Sequence, residues 1–323
     1  MPSIRAQAYH NLSLMLSAGV PIIKSLHTAV SGLRGDLAKS FLAVAKNVSR
    51  GNSLAASMAK YPKVFPQLDV MLIEAAETSG NLPDCLQRLA EWHEFRQSLK
   101  RILGSGMMLP MLVFHAAAFI VPFPAWFLGH MSSSQYLLQV ASTLAVLYVP
   151  AAVIWAIVRL TPKTGLLRRL LDGFILKIPL VGRAFRQLAL SRYCRVFHML
   201  YKAGIPITQC TEFAAEATGN VVFAGWLKGA TDSAKAGHSV SDGFSRQLPI
   251  EFRDAWQVGE ESGQLDNVTE RLAKMAADSS KILFAEVSQW LPRIIYFFIC
   301  LWLIKSIFAL WSTISFNRLS GGY

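Results

Sequence analysis

The sequence predicts an all-α membrane protein with two duplicated cytoplasmic helical-bundle domains and three transmembrane helices. Three observations lead to this fold class. Long apolar runs interrupt the chain, and a helix-breaking phrase occurs twice, 185 positions apart. The polar segments combine helix-forming residues with an apolar repeat of about 3.6 residues, and none of them has the alternation typical of a strand.

The apolar runs are long enough to cross a bilayer, because about 20 helical residues span its hydrocarbon core. No Asp or Glu occurs between Ile102 and Leu171. The sequence predicts spans at about 106–128, 137–158 and 290–316. A short polar loop joins the first two spans, so they are expected to form a hairpin.

These spans divide the chain into five predicted segments. They are a first cytoplasmic helical domain at 1–104, the transmembrane hairpin at 105–160, a basic linker with the second cytoplasmic copy at 161–289, the third transmembrane helix at 290–316 and a short outer tail at 317–323. Lys and Arg flank the hairpin but are absent from its loop. The positive-inside rule therefore places the N-terminus and both helical domains in the cytoplasm.

The duplication rests on several matched phrases. AGVPI (18–22) recurs as AGIPI (203–207), and each follows a helical apolar face. Farther on, the stretch 65–82 parallels 248–265 at a displacement of 183, with matching Pro, Glu and Ser-Gly positions. Small shifts of register between long matched stretches are expected of a duplicated domain.

Glycine and proline mark the predicted corners of each copy. A left-handed glycine ends a helix without steric cost, and a proline soon after it suits the start of the next helix. The predicted structural turns are Gly19, Pro21, Gly80, Gly204, Pro206 and Gly263.

The net charge of +12 is concentrated after the second span. Ten basic residues and one acid, Asp172, lie between Arg159 and Lys202. A basic run beside a membrane span favours anionic lipid headgroups as its contact. An acidic protein partner is the alternative, and nucleic acid is not expected.

The sequence contains no motif for a nucleotide, a metal or a nucleophile, so no catalytic residue, cofactor or metal site is predicted. The four cysteines, at positions 85, 194, 210 and 300, lack the spacing of a metal site. They are predicted to be buried small apolar residues without disulfides.

Three acids close to helix ends are candidate interface residues. Glu77, Glu260 and Glu261 each precede a predicted helix-ending glycine. Acids at a helix C-terminus oppose the helix dipole, so they are expected either to be solvated or to meet basic groups of a partner or a second copy.

The phrase GEESGQL (259–265), the two corner phrases and the order of domains and spans together resemble the type II secretion system F-protein family. The resemblance covers nearly the whole chain. It implies six helices per bundle, self-association and a place in the bacterial inner membrane, with a periplasmic C-terminus. It also implies work as the platform of a type II secretion or type IV pilus machine, with a cytoplasmic assembly ATPase, a pilin or pseudopilin and other inner-membrane assembly proteins as partners. Ala76 stands where the second copy has Gly259.

Lys305 lies deep in the predicted third span. It follows Arg293 by 12 residues, about 18 Å along a helix. An unpaired charge near the bilayer centre costs at least about 2.5–3.5 kcal/mol, and the first two spans contain no carboxylate. The span is offset so that the lysine reaches an interface, or the lysine contacts a polar group in an oligomer, or it receives a carboxylate from the membrane helix of a pilin.

Two other function classes remain open from the sequence. A small multi-pass transporter or channel component is the first, although transporter repeats lie within the membrane. A membrane-tethered DNA regulator is the second, although the helix after Gly19 carries only Lys24 and His27 for nucleic-acid contacts.

Overall fold

A computed structural model describes residues 3–33, 35–105, 108–129, 131–160 and 165–320 of the chain. Along the apolar helices, above all beyond residue 290, many side chains lie outside the described part. Every regular element in the described residues is helical, so the all-α prediction is confirmed.

Within the described residues, six helices precede the first apolar run. They are α1 Ile4–Ser17, α2 Ile22–Val30, α3 Gly35–Val48, α4 Leu54–Ala59, α5 Gln67–Ser79 and α6 Leu82–Ser105. The side-chain oxygens of Ser3 and Ser53 cap α1 and α4 by accepting hydrogen bonds from the backbone N–H groups of Ala6 and Ala56.

The polar segment after the second predicted span is also helical. Its elements are α10 Leu166–Lys177, α11 Pro179–Lys202, α12 Ile207–Ala217, α13 Val221–Lys235, a 3₁₀ turn at Ser241–Gly243, α14 Ile250–Glu261 and α15 Leu265–Ser320. The predicted third span lies within α15.

The chain divides into two compact units. One consists of Met1–Lys100 and Asp172–Lys281, and the other of Arg101–Leu171 and Ile282–Tyr323. The first unit therefore contains residues 1–100 of the first predicted helical domain and residues 172–281 of the predicted linker and second domain.

A buried polar group distinguishes the first half of the first unit. The Asp69 carboxylate accepts a hydrogen bond from the Tyr9 hydroxyl at 2.9 Å, and His93 Nε2 lies 2.8 Å from the same oxygen, Oδ2. All three side chains are buried. A charge this deep is tolerated only when hydrogen bonds compensate for lost water.

The corresponding core of the second half is aromatic. Trp256 is fully buried, and its ring lies 4.7–5.7 Å from those of Tyr193, Phe197, Phe244 and Phe252. Ring pairs at these distances add to the stability that burial alone gives.

The second unit contains α7 Met108–Ile120, the short α8 Phe123–Phe127 and α9 Ser133–Leu160. The helical path of the first predicted span is interrupted beside Pro122, which lacks an N–H donor. Tyr136 on α9 donates a hydrogen bond to the Phe119 carbonyl at 3.1 Å, and His115 Nε2 lies 2.8 Å from the Tyr148 hydroxyl. Partners from a neighbouring helix are what make a proline break tolerable among apolar residues.

One helix in the described part of the chain, Ser133–Val153, is long and apolar enough to cross a membrane by length and composition. It overlaps the predicted second span at about 137–158, but it begins and ends earlier. The apolar segment Met111–Phe127 is shorter. Residues 106 and 107 of the first span, and many side chains of the third, lie outside the described residues. Three transmembrane helices therefore stay a prediction.

Candidate functional site

Both AGVPI-type corners have the same backbone geometry. Gly19 and Gly204 are left-handed, with φ of 77° and 80°. The residue after each glycine donates back across the helix end: Val20 N–H to Met15 O at 2.9 Å, and Ile205 N–H to Leu200 O at 3.1 Å. A side chain other than hydrogen would strain the backbone at either glycine.

The prolines of these corners stand at the N-cap of the following helix. Pro21 precedes α2 and Pro206 precedes α12, with ψ near 140° in both. Their carbonyls accept the first helical hydrogen bonds, from Ser25 N–H at 2.9 Å and Cys210 N–H at 3.0 Å. The corner is therefore built from backbone bonds, with no exposed group required for chemistry.

The second pair of glycines ends α5 and α14 in the same manner. Gly80 and Gly263 have φ of 73° and 67°. The residues after them, Asn81 and Gln264, donate to the carbonyls of Ala76 and Gly259. All four predicted turn glycines thus lie in the left-handed region.

Glu77 and Glu260 make equivalent hydrogen bonds inside their own halves. The two Glu77 carboxylate oxygens accept from the backbone N–H groups of Leu54 and Ala55 at 2.6 and 2.9 Å. The Glu260 carboxylate accepts in the same way from Val240 and Ser241, at 2.5 and 3.0 Å. Each carboxylate therefore satisfies two donors that start a short helical turn about 20 residues earlier.

Glu261 is placed differently from its neighbour. Its side chain is exposed, and its carboxylate accepts a hydrogen bond at 2.7 Å from the amide nitrogen of Gln257, one turn back. The interface hypothesis for Glu77, Glu260 and Glu261 stays a prediction. The described contacts leave Glu261 as the member whose carboxylate faces solvent.

The Ala76-for-Gly259 difference has a packing reason. A Cβ added to Gly259 would lie 2.9 Å from the Val268 Cβ. In the first half the position of Val268 is taken by the smaller Cys85, which lines the same recess as Ala76. In the second half the smaller Gly259 leaves room for the larger Val268. In the first half the larger Ala76 is matched by the smaller Cys85.

The two halves of the first unit contact each other through α6 and α11. Arg88 Nη1 lies 2.8 Å from His198 Nε2, while His198 Nδ1 lies 3.0 Å from the Asp266 carbonyl. Because the carbonyl can only accept, Nδ1 carries the proton and Nε2 accepts from Arg88. The Arg195 guanidinium lies over the Phe95 ring at 5.1 Å. Sequence reasoning missed this contact, since nothing local in either helix indicates it.

Lys305 is exposed on α15, and no ion pair is recorded for it with the residues that the structure describes. Its three explanations remain open.

Among the cysteines, Cys85, Cys194 and Cys210 are buried, and burial raises the pKa of Cys85 and Cys210 to about 12. Cys300 is exposed, so the burial prediction is wrong there. It lies in the predicted third span, where lipid would surround a small apolar side chain.

Comparison with known proteins gives the family. The family model for type II secretion system (T2SS) protein F matches residues 8–128 and 193–305, which together are more than half of the chain. The chain belongs to this family. The matched stretches include all four turn glycines, both capping glutamates and Lys305.

Relatives in this F-protein family include proteins of type IV pilus assembly and of type II secretion. The chain is 28% identical to the type IV pilus assembly protein PilC of Pseudomonas aeruginosa, over 81% of its length and 76% of that protein. It is 26% identical to the type II secretion system protein F of the same species, over 96% and 82%. It is 25% identical to the type IV pilus assembly protein TapC of Aeromonas hydrophila, over 81% and 68%.

The described residues of this family member contain no group of three or more His, Cys, Asp or Glu placed to hold a metal ion. The Glu77 and Glu260 carboxylates instead accept hydrogen bonds from backbone N–H groups, and Tyr9, Asp69 and His93 bond to each other.

His198 makes the contact between the halves sensitive to acid. Burial, and next the charge of Arg88, lower the pKa of His198 below its ordinary 6.5, with Glu270 and Lys202 also nearby. The unfolded chain then binds more protons below pH 6.5, so stability is full above that pH and falls as pH drops through the lower folded pKa. We expect the unfolding temperature of the purified chain to fall between about pH 7 and 5, and His198→Ser to flatten this dependence.

The matched control is His238→Ser, which changes an exposed histidine in the same half. Thermal unfolding followed by circular dichroism gives the measurement. Equal slopes for the two variants over this pH range would contradict the role assigned to His198.

Proposed function

We propose that this chain is the inner-membrane platform of a type II secretion or type IV pilus machine, where it couples a cytoplasmic assembly ATPase to the assembly of pilin or pseudopilin subunits. The observation that carries the proposal is the family match in two separate stretches of the chain. The proposal assigns the chain no catalysis, and the ATPase supplies the hydrolysis.

The proposal includes two duplicated helical domains, at 1–104 and within 161–289. Matched hydrogen bonds support this duplication, since they join residues that the sequence repeat aligns. Ser13 donates to the Pro83 carbonyl at 2.7 Å, and His198, at the position of Ser13, bonds the Asp266 carbonyl, at the position of Pro83. The equivalent carboxylate caps of the two halves give the same support.

The proposed topology has three spans, with both helical domains in the cytoplasm and the C-terminus in the periplasm. The amphipathic helix α10 supports a contact between the basic linker and lipid. Its exposed Leu170 and Phe174 stand one turn apart, next to exposed Arg169 and Lys177. Such a helix can lie in the headgroup region of an anionic leaflet.

Two surfaces are assigned to partners. Glu261 is the acid available to a basic group of the ATPase or of another assembly protein, because the other two candidate carboxylates are occupied by backbone donors. Lys305 is assigned to the pilin, whose membrane helix would supply a carboxylate. The absence of carboxylates in the first two predicted spans supports this assignment.

The proposal is tested in cells from which the gene for this chain is deleted. We expect loss of surface pili, or of type II substrate secretion, and recovery with the wild-type chain. Lys305→Leu at normal abundance is expected to recover less than a tenth of the wild-type level, since a charge pair in the membrane is worth more than about 1.4 kcal/mol. Lys274→Leu, at an exposed position of α15 outside the predicted spans, is the control.

Normal pilus assembly and secretion in the deletion strain would overturn the platform role. Full recovery with Lys305→Leu would overturn the pilin contact and leave the platform role in place.

A further inference from the structure

We propose that the first half of the first unit binds a phosphate group, carried either by a small soluble molecule or by a lipid headgroup. The site is a cleft of about 690 Å³ between α1, the start of α3, the loop before α5, and α6. A volume of this size is typical of small-molecule sites. We call it the basic cleft, and its lining includes Ser3, Arg5, Asp36, Lys63, His93 and Arg96.

The basic cleft carries an excess of positive charge. Arg5, Lys63 and Arg96 line it, and among the described lining residues Asp36 is the one acid. Within the part of the chain that the structure describes, none of the three cations forms an ion pair. The Arg96 guanidinium lies 5.9 Å from the centroid of the Trp92 ring, a contact that orients it without neutralising its charge. Like charges on the walls of one cleft favour an anion between them.

Two helices begin at the basic cleft. α1 starts directly after the lining residue Ser3, and α3 starts directly before the lining residue Asp36. Each helix has 14 residues, so each contributes the partial positive charge of a helix N-terminus. The backbone N–H groups of a first turn have no acceptor inside their own helix and are suited to the oxygens of an anion. The helix starts therefore add to the charge of the three cations.

His93 supplies a buried polar group on the wall of the basic cleft. Its side chain is 6% exposed, and Nε2 lies 2.8 Å from the Asp69 carboxylate in the core. An ionised carboxylate only accepts, so Nε2 carries a proton. The other ring nitrogen, Nδ1, has no hydrogen-bond partner in the described residues and is not sealed from solvent. Nδ1 is therefore the nitrogen that a ligand reaches. A protonated ring donates there to a phosphate oxygen, and a neutral ring accepts there from a phosphate that carries a proton.

The second half of the chain has apolar residues at equivalent positions. The sequence repeat aligns Arg5 with Leu190 and His93 with Ala276. Leu190 and Ala276 are buried, at 3% and 8% exposure. A bundle of this kind therefore forms without polar groups at these two positions. Because cations without partners repel each other and lower stability, we assign those of the first half to a ligand.

The separate donors of the basic cleft fit a phosphate group better than a carboxylate. Guanidinium groups bind phosphate oxygens through paired N–H donors, and a lysine contributes a point charge. A phosphate carries close to two negative charges on three acceptor oxygens, so it can meet Arg5, Lys63 and a first-turn N–H group together. A carboxylate has one charge on two oxygens, and it would leave part of the positive charge unbalanced.

Isothermal titration calorimetry of the full chain in uncharged detergent tests the site, with inorganic pyrophosphate as the probe. We expect saturable binding at one site per chain. Lys63→Gln is expected to weaken it about tenfold, the effect of losing one charged hydrogen bond. Arg246→Gln is the matched control and is expected to bind as the wild type does. The repeat aligns this exposed residue with Lys63, and it does not line the cleft.

Two further variants probe the side of the cleft that faces the core. Arg5→Leu introduces the residue that the second half has at the equivalent position, so we expect a folded chain with binding weakened at least tenfold. In His93→Gln, the glutamine keeps an N–H donor for Asp69 but removes the ring nitrogen from the cleft, so binding is expected to weaken several-fold. Thermal unfolding without the probe reports whether each variant is folded.

Native mass spectrometry distinguishes the two sources of phosphate. The chain is purified with phosphatidylglycerol, and the lipids retained per chain are counted for the wild type, Lys63→Gln and Arg246→Gln. A lipid source gives one retained lipid fewer in Lys63→Gln alone, and pyrophosphate displaces that lipid from the wild type. Equal lipid counts together with saturable pyrophosphate binding assign the cleft to a soluble phosphate compound.

Two results would show that the basic cleft is not a phosphate site. The first is a lack of saturable pyrophosphate binding together with equal lipid counts, and the second is equal weakening by Lys63→Gln and Arg246→Gln. Phosphate binding is independent of the platform role. A chain that binds pyrophosphate while its deletion leaves pilus assembly and secretion intact would overturn only that role.

Discussion

Gly259→Ala is expected to destabilise the chain by about 1–3 kcal/mol, the range for overpacking a core. The added Cβ would lie 2.9 Å from the Cβ of Val268 and 3.0 and 3.2 Å from its two γ carbons. A β-branched side chain blocks the approach in each rotamer, so Val268 cannot turn away. Relief therefore requires α14 and α15 to separate, which also disturbs the aromatic core around Trp256.

The measurement is thermal unfolding of the full chain in detergent. Gly225→Ala is the matched control, because a Cβ at that position in α13 meets nothing within 4 Å and alanine favours a helix. Adding Val268→Cys to Gly259→Ala recreates the Ala76–Cys85 pair of the first half and is expected to recover most of the loss. If Gly259→Ala and Gly225→Ala unfold at the same temperature, the packing explanation fails.

The corners and helices of this fold could be predicted because their causes are local. A glycine that must be left-handed, followed two residues later by proline, gives the same geometry at Gly19 and Gly204 wherever it occurs. The all-α class follows from periodicity in the same manner. These features depend on a few neighbouring residues, and they are visible in one sequence.

The roles of Glu77 and Glu260 depend on groups about 20 residues away. From the sequence, an acid at a helix C-terminus is unfavourable to its own helix and suggests an external partner. The structure gives each carboxylate two backbone donors of another element, which offsets that cost. The signal available was the repeat itself, since it aligns both acids and also the Asn-Ser and His-Ser segments that precede their donors.

The hydrogen bonds among the buried side chains of Tyr9, Asp69 and His93 were still harder to predict from the sequence. The repeat places Cys194, Phe252 and Ala276 at these positions, so the two halves fill the same space with a polar network and with apolar side chains. Periodicity predicts which helix face is buried, but it does not select the partners across a core. The burial of Asp69 could not be inferred, because a charged residue in the helical pattern normally indicates a position that faces solvent.

Glu260→Ala is expected to destabilise the chain by about 2 kcal/mol, because the backbone N–H groups of Val240 and Ser241 lose a charged acceptor. Glu77→Ala is expected to act similarly through Leu54 and Ala55. Glu261→Ala is the matched control next in sequence. Its carboxylate is exposed and contacts Gln257, so its loss is expected to change stability by less than about 0.5 kcal/mol.

Thermal unfolding separates these variants, and Glu260→Gln distinguishes between two causes. Glutamine keeps one side-chain oxygen but loses the charge, so it is expected to recover part of the loss if the backbone donors are what the carboxylate serves. If Glu260 instead acted only on a partner, Glu260→Ala would unfold at the wild-type temperature while pilus assembly or secretion fell. If the proposed contact of Glu261 with another protein is right, Glu261→Ala is expected to show the opposite pattern, with unchanged stability and weakened assembly.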